Sequence, residues 1–318
     1  MNSGRLLIVE PDAFSQRASE LLRQVFAVET GPLTRADLLG CIAQFDGVFV
    51  RLGHRLDAEF FDRASRLRFV ASPTTGLNHI DLEIARERGI KILSLRGERQ
   101  FLEDIHATAE FTWTLALALM RRVVSASRSV IDGDWDRDPF RGHELHGRTL
   151  GIVGFGRLGS KVANFGKAFG MRVVATDPHV ALPGWGDGDS LEGVARQADV
   201  FSIHVSYGTE THGLISAEII NELNAGSVLI NTARGEVLDE EALLDALRSR
   251  SVAGAALDVL SAENAGGEAA KRAANLKSYA AQNDNLIITP HIGGATWESM
   301  EKTELFVADK VLQEWQRL

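Results

Sequence analysis

Short apolar runs alternate with amphipathic stretches along most of the chain. Leu6 to Val9, Gly47 to Val50, Phe69 to Ala71 and Ile90 to Leu93 predict buried strands, with helical patterns through Phe14 to Val25 and Leu82 to Arg88. Strand and helix in alternation predict a parallel sheet covered on both faces. Asp104 to Arg122 predicts one long helix, closed by two arginines where cations suit a helix C-terminus, and Ile131 to Gly147 predicts a loop. A second series follows at Thr149 to Val153, Arg172 to Ala175, Val200 to His204, Ser227 to Asn231, Gly254 to Asp258 and Leu286 to Thr289. Helices are expected at Ser160 to Phe169, Ala217 to Leu223, Asp239 to Arg250, Gly267 to Gln282 and Thr296 to Trp315.

The second series opens with Gly154-Phe-Gly156-Arg157-Leu158-Gly159, set between a strand and a helix. Gly154 permits the tight bend, Gly156 lets backbone amides approach a pyrophosphate, and Gly159 lets the helix lie against the strand. The helix N-terminus offers unpaired N–H groups to phosphate. Asp177 closes the next strand, where a carboxylate can accept from both hydroxyls of an adenosine ribose and would repel a 2′-phosphate. Strand, turn, helix, strand and acid in that order predict a Rossmann unit binding NAD.

Composition narrows the class. A length of 318 residues suggests about two domains. The formal charge of −9 and the lack of a dense basic run argue against a nucleic-acid surface. Phe111 to Met120 is too short to span a membrane, and the N-terminal apolar run is too short for a signal core. With Cys41 as the one cysteine there is no internal disulfide, and a soluble cytoplasmic protein is expected. Potential metal ligands are not clustered.

The chain resembles the D-isomer-specific 2-hydroxyacid dehydrogenase family over nearly its whole length. The resemblance rests on Leu150 to Gly159 with Asp177, Asn231-Thr-Ala-Arg234-Gly235, Ala256-Leu-Asp258 with Glu263, and Thr289-Pro-His291-Ile-Gly-Gly. It implies that Arg234 binds the substrate carboxylate and polarises the 2-keto oxygen, a planar fork suited to bidentate recognition. His291 would be the acid–base residue, and Glu263 would pair with it, orient the ring and favour its charged form. Alternatively, Arg234 caps a strand end and Glu263 is a solvated loop acid.

By the same resemblance Asp258 lies near the nicotinamide carboxamide. His204, Thr232, Ala233 and Gly293, with Arg157 and Leu158 of the glycine turn, count among the cofactor contacts. Thr75 and Gly76 match a loop whose amides hold the substrate carboxylate, and Arg51 matches a frequent substrate-side arginine. Arg51 with Arg96 or Arg99 would select a substrate with a second anionic group. Ser72, however, stands where phosphoglycerate dehydrogenases usually carry arginine. Leu77, Phe101 and Leu102 could line a pocket or simply pack. Asn264 follows the acid where the family usually has proline, and an insertion of about ten residues, loop-scale in size, lengthens the path to His291.

The implied architecture is two doubly wound parallel-sheet α/β domains with a cleft between them that closes over substrate. A flavodoxin-like substrate domain takes residues 1–100 and 292–318, and the Rossmann domain, 101–291, is inserted into it. No regulatory domain is expected after Leu318. The long helix and the loop carrying Trp135 resemble a dimerisation region, so a homodimer is expected. The implied activity is NAD-dependent interconversion of a D-2-hydroxy acid and its 2-keto acid. Phosphoglycerate, glycerate with hydroxypyruvate, glyoxylate and bulkier acids all stay open, whereas formate dehydrogenases carry glutamine at the place of Glu263. An NAD(H)-sensing binding protein of the C-terminal binding protein type is the alternative, disfavoured by the absence of a long disordered tail.

Overall fold

In the computed structural model, residues 4–31, 33–180, 188–261, 263 and 267–317 are described. Asn264, with which the expected insertion begins, lies outside them. The chain divides into two compact units, one of Met1–Ile105 with Thr296–Leu318 and the other of His106–Ala295.

The first unit is built on β1 (Gly4–Ile8), β2 (Phe26–Thr30), β3 (Gly47–Phe49), β4 (Phe69–Ser72) and β5 (Lys91–Ser94). All pairs are parallel and the order is β2-β1-β3-β4-β5. Alternate side chains serve opposite faces, as the two-residue strand period requires. Leu6 and Ile8 join the helices Gln16–Arg23 and Trp297–Trp315 through Leu22, Val307 and Val311. Leu7, Val48 and Val70 meet Leu38, Phe60 and Phe61 on the other face. Each such fully buried side chain contributes about 1.5–3 kcal/mol. The C-terminal helix thus completes a core begun by the first hundred residues.

The second unit holds β6 (Thr149–Val153), β7 (Arg172–Thr176), β8 (Val200–Ile203), β9 (Val228–Asn231), β10 (Gly254–Leu257) and β11 (Leu286–Ile288). These are again all parallel, in the order β11-β10-β9-β8-β6-β7. The helices Ala107–Met120 and Arg157–Ala168 cover one face through Trp113, Ala116 and Val162. Leu243, Leu247 and Leu276 cover the other, so Gly267–Gln282 is a packed helix of the core layer. In both sheets the first strand lies between the second and the third, which makes the gap between β6 and β8 the switch point where such sheets take ligands.

Several features differ from expectation, among them the helices Arg35–Cys41, Ala58–Arg63 and Leu191–Gln197, which the pattern did not announce. β2 is an edge strand that the pattern did not announce. The expected helix Asp104 to Arg122 is Ala107–Met120, broken at Arg122, whose φ is 54°, and a further helix runs Val123–Ile131. The units divide after residues 105 and 295, where the sequence suggested 100 and 291. No described helix is long and apolar enough to cross a membrane.

Candidate active site

The carboxyl edge of the six-stranded sheet collects the chemistry. Taken across the sheet from β11 to β7, the strand ends lead to His291, Asp258, Arg234, His204, the Gly154–Gly159 turn and Asp177.

The glycine turn lies at the switch point. Gly154 has φ 89°, and a Cβ there would come 2.9 Å from the His204 carbonyl. A Cβ on Gly159 would lie 2.1 Å from the Gly154 oxygen, so the helix rests directly on the turn. Gly156 is the contrast, since a Cβ on it would meet no atom of the chain within 4 Å. The helix beginning at Arg157 has neither a side-chain cap nor an acid in its first turn, whereas Ser15, Asp239 and Thr296 cap other helices. Its N-terminus and open approach fit a pyrophosphate.

Asp177 accepts from the Phe155 amide at 2.7 Å through Oδ2 and from the His179 and Val180 amides at 2.8 and 3.1 Å through Oδ1. A carboxylate has about four acceptor positions. One is therefore open to a ribose, where the sequence reading asked for two. His204 accepts or donates at 2.8 Å to Ser202 Oγ, and burial pushes its pKa down to about 4.

Arg234 follows β9 on a turn tied by buried Asn231. The Asn231 amide donates to the Arg234 carbonyl at 2.9 Å, and its oxygen accepts from the Ala233 amide at 3.0 Å. Thr232 Oγ1 meets Thr112 Oγ1 at 2.9 Å. The guanidinium donates to the Ala233 carbonyl at 2.6 Å, and burial lowers its pKa against the opposing pull of Glu263 and Glu236. Sequence reasoning gave Asn231 no task, although an amide at the end of an apolar strand is a signal of one.

His291 Nδ1 and Glu263 Oε2 stand 2.6 Å apart, with side chains 22% and 31% exposed. The other nitrogen of the ring is left for chemistry. His291 has a left-handed backbone, φ 55°. Asp258 holds that backbone: its carboxylate accepts from Thr289 Oγ1 at 2.7 Å and from the Ile292 and Gly293 amides at 2.9 and 2.7 Å. This is a larger duty than the cofactor contact expected from the sequence.

In the first unit, Thr74 Oγ1 donates to the Gly76 carbonyl at 2.8 Å and lies 3.0 Å from Ser72 Oγ, which is 3.3 Å from His79 Nε2. This partly buried network carries the loop of Thr75 and Gly76. Arg51 departs from expectation. Its Nε donates to Glu304 Oε1 at 2.8 Å and its Nη1 to the Asp12 carbonyl at 2.9 Å. The Glu304 side chain is 1% exposed, and such a carboxylate needs a cation. Arg51 is therefore engaged inside its own unit instead of standing free for a second anionic group. Arg96 and Arg99 are exposed. Leu77 and Leu102 are core residues, and Phe101 stacks on Phe306 at 4.0 Å, so packing accounts for all three. Among the described residues no cluster of His, Cys, Asp or Glu is arranged to hold a metal.

Comparison with known proteins agrees with this architecture. The sequence profile described as D-isomer specific 2-hydroxyacid dehydrogenase, NAD binding domain, matches residues 113–293. The hydroxypyruvate reductase of Thermotoga maritima is 32% identical over 308 residues, 95% of this chain and 96% of the relative. The glyoxylate reductase of Thermococcus kodakarensis is 34% identical over 94% of this chain and 90% of its own length. The D-lactate dehydrogenase of Aquifex aeolicus, solved with NAD and lactic acid, superposes with a TM-score of 0.82 at 28% identity, covering 98% of this chain and 95% of that one. The chain belongs to the D-isomer-specific 2-hydroxyacid dehydrogenases. It is an NAD-dependent oxidoreductase that interconverts a D-2-hydroxy acid and its 2-keto acid.

Proposed function

We propose that the enzyme reduces a small unphosphorylated 2-keto acid of the hydroxypyruvate or glyoxylate class. The observation that carries this reading is the His291–Glu263 contact at 2.6 Å beside Arg234, with Arg51 engaged by Glu304 and Ser72 in place of a further cation. Relatives named for hydroxypyruvate and glyoxylate support the size of the substrate.

When bound, NADH supplies a hydride from nicotinamide C4. Gly154, Gly156, Arg157, Leu158 and Gly159 would hold the pyrophosphate, and Asp177 would accept from the ribose. His204, Thr232, Ala233, Asp258 and Gly293 line the rest of the cofactor's path. Arg234 takes the substrate carboxylate and draws electron density onto the 2-keto oxygen. As the carbon is reduced, His291 gives the proton on its Nε2 to that oxygen, leaving a neutral imidazole. Glu263 holds Nδ1, fixing the ring and balancing its charge until the proton has left.

The active form in this proposal is a homodimer in the cytoplasm. Supporting the first, the helix Val123–Ile131 buries none of its residues, and Ile131 and Trp135 are 82% and 90% exposed. Supporting the second, Cys41 is the one cysteine. Light scattering that returns a monomer would refute the dimer.

The deciding experiment is NADH oxidation with glyoxylate, hydroxypyruvate, pyruvate and 3-phosphohydroxypyruvate, beside His291→Ala. We expect turnover with the small acids and a loss of about 10²–10⁴-fold in the variant. Preference for the phosphorylated acid would overturn the substrate assignment, and an undiminished variant would overturn the role of His291.

A further inference from the structure

Three acids in the described residues are almost fully buried, and one of them has no task so far. Asp258 holds the His291 backbone and Glu304 pairs with Arg51; the third is Glu240, 3% exposed in the first turn of the helix Glu240–Ser249. It is not needed as a cap, because Asp239 already accepts from the Glu241 and Ala242 amides. A carboxylate withdrawn from water is costly unless its oxygens are met. Both are met by one residue: Oε1 accepts from the Ser261 amide at 2.6 Å and Oε2 from Ser261 Oγ at 2.8 Å. Arg272 from the helix Gly267–Gln282 and Glu236 from the turn after Arg234 are the charged groups facing it, and burial pushes its pKa up.

Ser261 stands two positions before Glu263, and the Glu263 amide donates back to the Leu260 carbonyl at 3.4 Å to make a turn. The turn is closed by its own acid, since Glu263 Oε1 accepts from the Leu260 amide at 3.1 Å, which leaves Oε2 directed at His291 Nδ1. The other side of the turn rests on Gly235, where a Cβ would fall 2.0 Å from the Ser261 nitrogen. One turn, gripped by Glu240 and seated on the residue after Arg234, therefore sets where the acid of the histidine pair stands.

We infer that Glu240 is a positioning residue for the Glu263–His291 pair, acting through Ser261. The inference rests on the proposed roles of His291 and Glu263. Release of Ser261 frees the turn to drift, and Glu263 no longer holds the ring in register. Misplacement of a catalytic group on the scale of 1 Å costs roughly 10²-fold in rate.

The test is a set of purified enzymes: wild type, Glu240→Ala, Glu240→Gln, Glu263→Ala and the Glu240→Ala/Glu263→Ala double variant, assayed with NADH and the best keto acid. We expect Glu240→Ala to lower kcat by about 10-fold to 100-fold. The NADH Kd, read by fluorescence, and the KM should stay within about 3-fold, too little to carry a 10-fold loss. The glutamine, which keeps an oxygen for the Ser261 amide, should restore most of the kcat. The double variant should be no slower than Glu263→Ala alone. Undiminished kcat in Glu240→Ala, or losses that multiply in the double variant, would overturn the inference. If Glu263→Ala itself keeps wild-type kcat, the role given to Glu263 has failed and this inference falls with it. Should Glu240→Ala not fold, Ser261→Ala removes one of the two bonds, and its kcat should drop by about 3-fold to 10-fold, since a hydrogen bond is worth about 1 kcal/mol. An unchanged kcat there would likewise overturn the inference.

Discussion

The carbonyl of Asp258 accepts from the His291 amide at 2.9 Å, while the Asp258 carboxylate takes the next two amides of the same loop. A histidine with φ 55° is thus held in a conformation that non-glycine residues adopt uncommonly. Asp258→Asn presents an amide N–H₂ where a backbone donor must be met. We expect a loss of about 2 kcal/mol or more in urea unfolding and a kcat about 10²-fold lower. A variant with wild-type Tm and kcat would contradict the anchoring role.

Two glycines should separate folding from cofactor binding. Gly235→Ala drives a Cβ to 2.0 Å from the Leu260 carbonyl carbon and the Ser261 nitrogen, so it should destabilise the fold by about 3 kcal/mol or more. Gly156→Ala meets nothing of the chain and has φ −73°, which alanine accepts. Its Tm should match the wild type while NADH binding weakens at least about 10-fold, as expected for a methyl group placed in a phosphate's path. Calorimetry and fluorescence titration check both.

Arg51 should matter to stability more than to selectivity. Arg51→Ala leaves buried Glu304 with the Ser15 amide as its remaining strong partner, at a cost of about 3–5 kcal/mol. Burial raises the Glu304 pKa even with Arg51 present. The deficit should therefore shrink as pH falls and the acid becomes neutral, and an Arg51→Met/Glu304→Leu pair should recover most of it. The ratio of kcat/KM for glyoxylate to that for 3-phosphohydroxypyruvate should stay level, and a shift of several-fold would return Arg51 to the substrate.

His204 gives the enzyme an acid sensitivity. The unfolded chain takes up a proton there near 6.5, and the folded chain does not until about 4. Between those values acid favours the unfolded state, so stability falls as pH drops. The gap corresponds to at most about 3 kcal/mol. His204→Gln should flatten the decline of Tm from pH 6.5 to 4, and an unchanged slope would show that other groups cause it.

How much was legible in the sequence follows from which forces are local. The glycine turn and its flanking strands are written in contiguous residues, and Thr149–Val153 was read to the residue. β2 was not, because its alternation of buried Phe26 and Val28 with exposed neighbours is too short to stand out beside the preceding helix. The helix Val123–Ile131 was hidden for the opposite reason, as its apolar residues Val123, Val124, Val130 and Ile131 face outward and mark no core face. Arg51 shows the limit for sites. An arginine at a strand end looks the same whether it meets a ligand or Glu304, which is 253 positions away. Glu240 likewise reads as an ordinary first-turn acid until its partner, 21 positions on, is known.

His291 and Asp177 follow the two outermost strands of the same sheet, β11 and β7. Five inter-strand steps separate those strands, roughly 24 Å at the usual spacing. On the roles proposed for Asp177 and His291, coenzyme choice and acid–base work would therefore answer to different mutations. A substitution at Asp177 would then shift the coenzyme without disturbing the histidine, and a change around His291 would leave the coenzyme alone. A scaffold divided in this way would let the two tasks evolve independently.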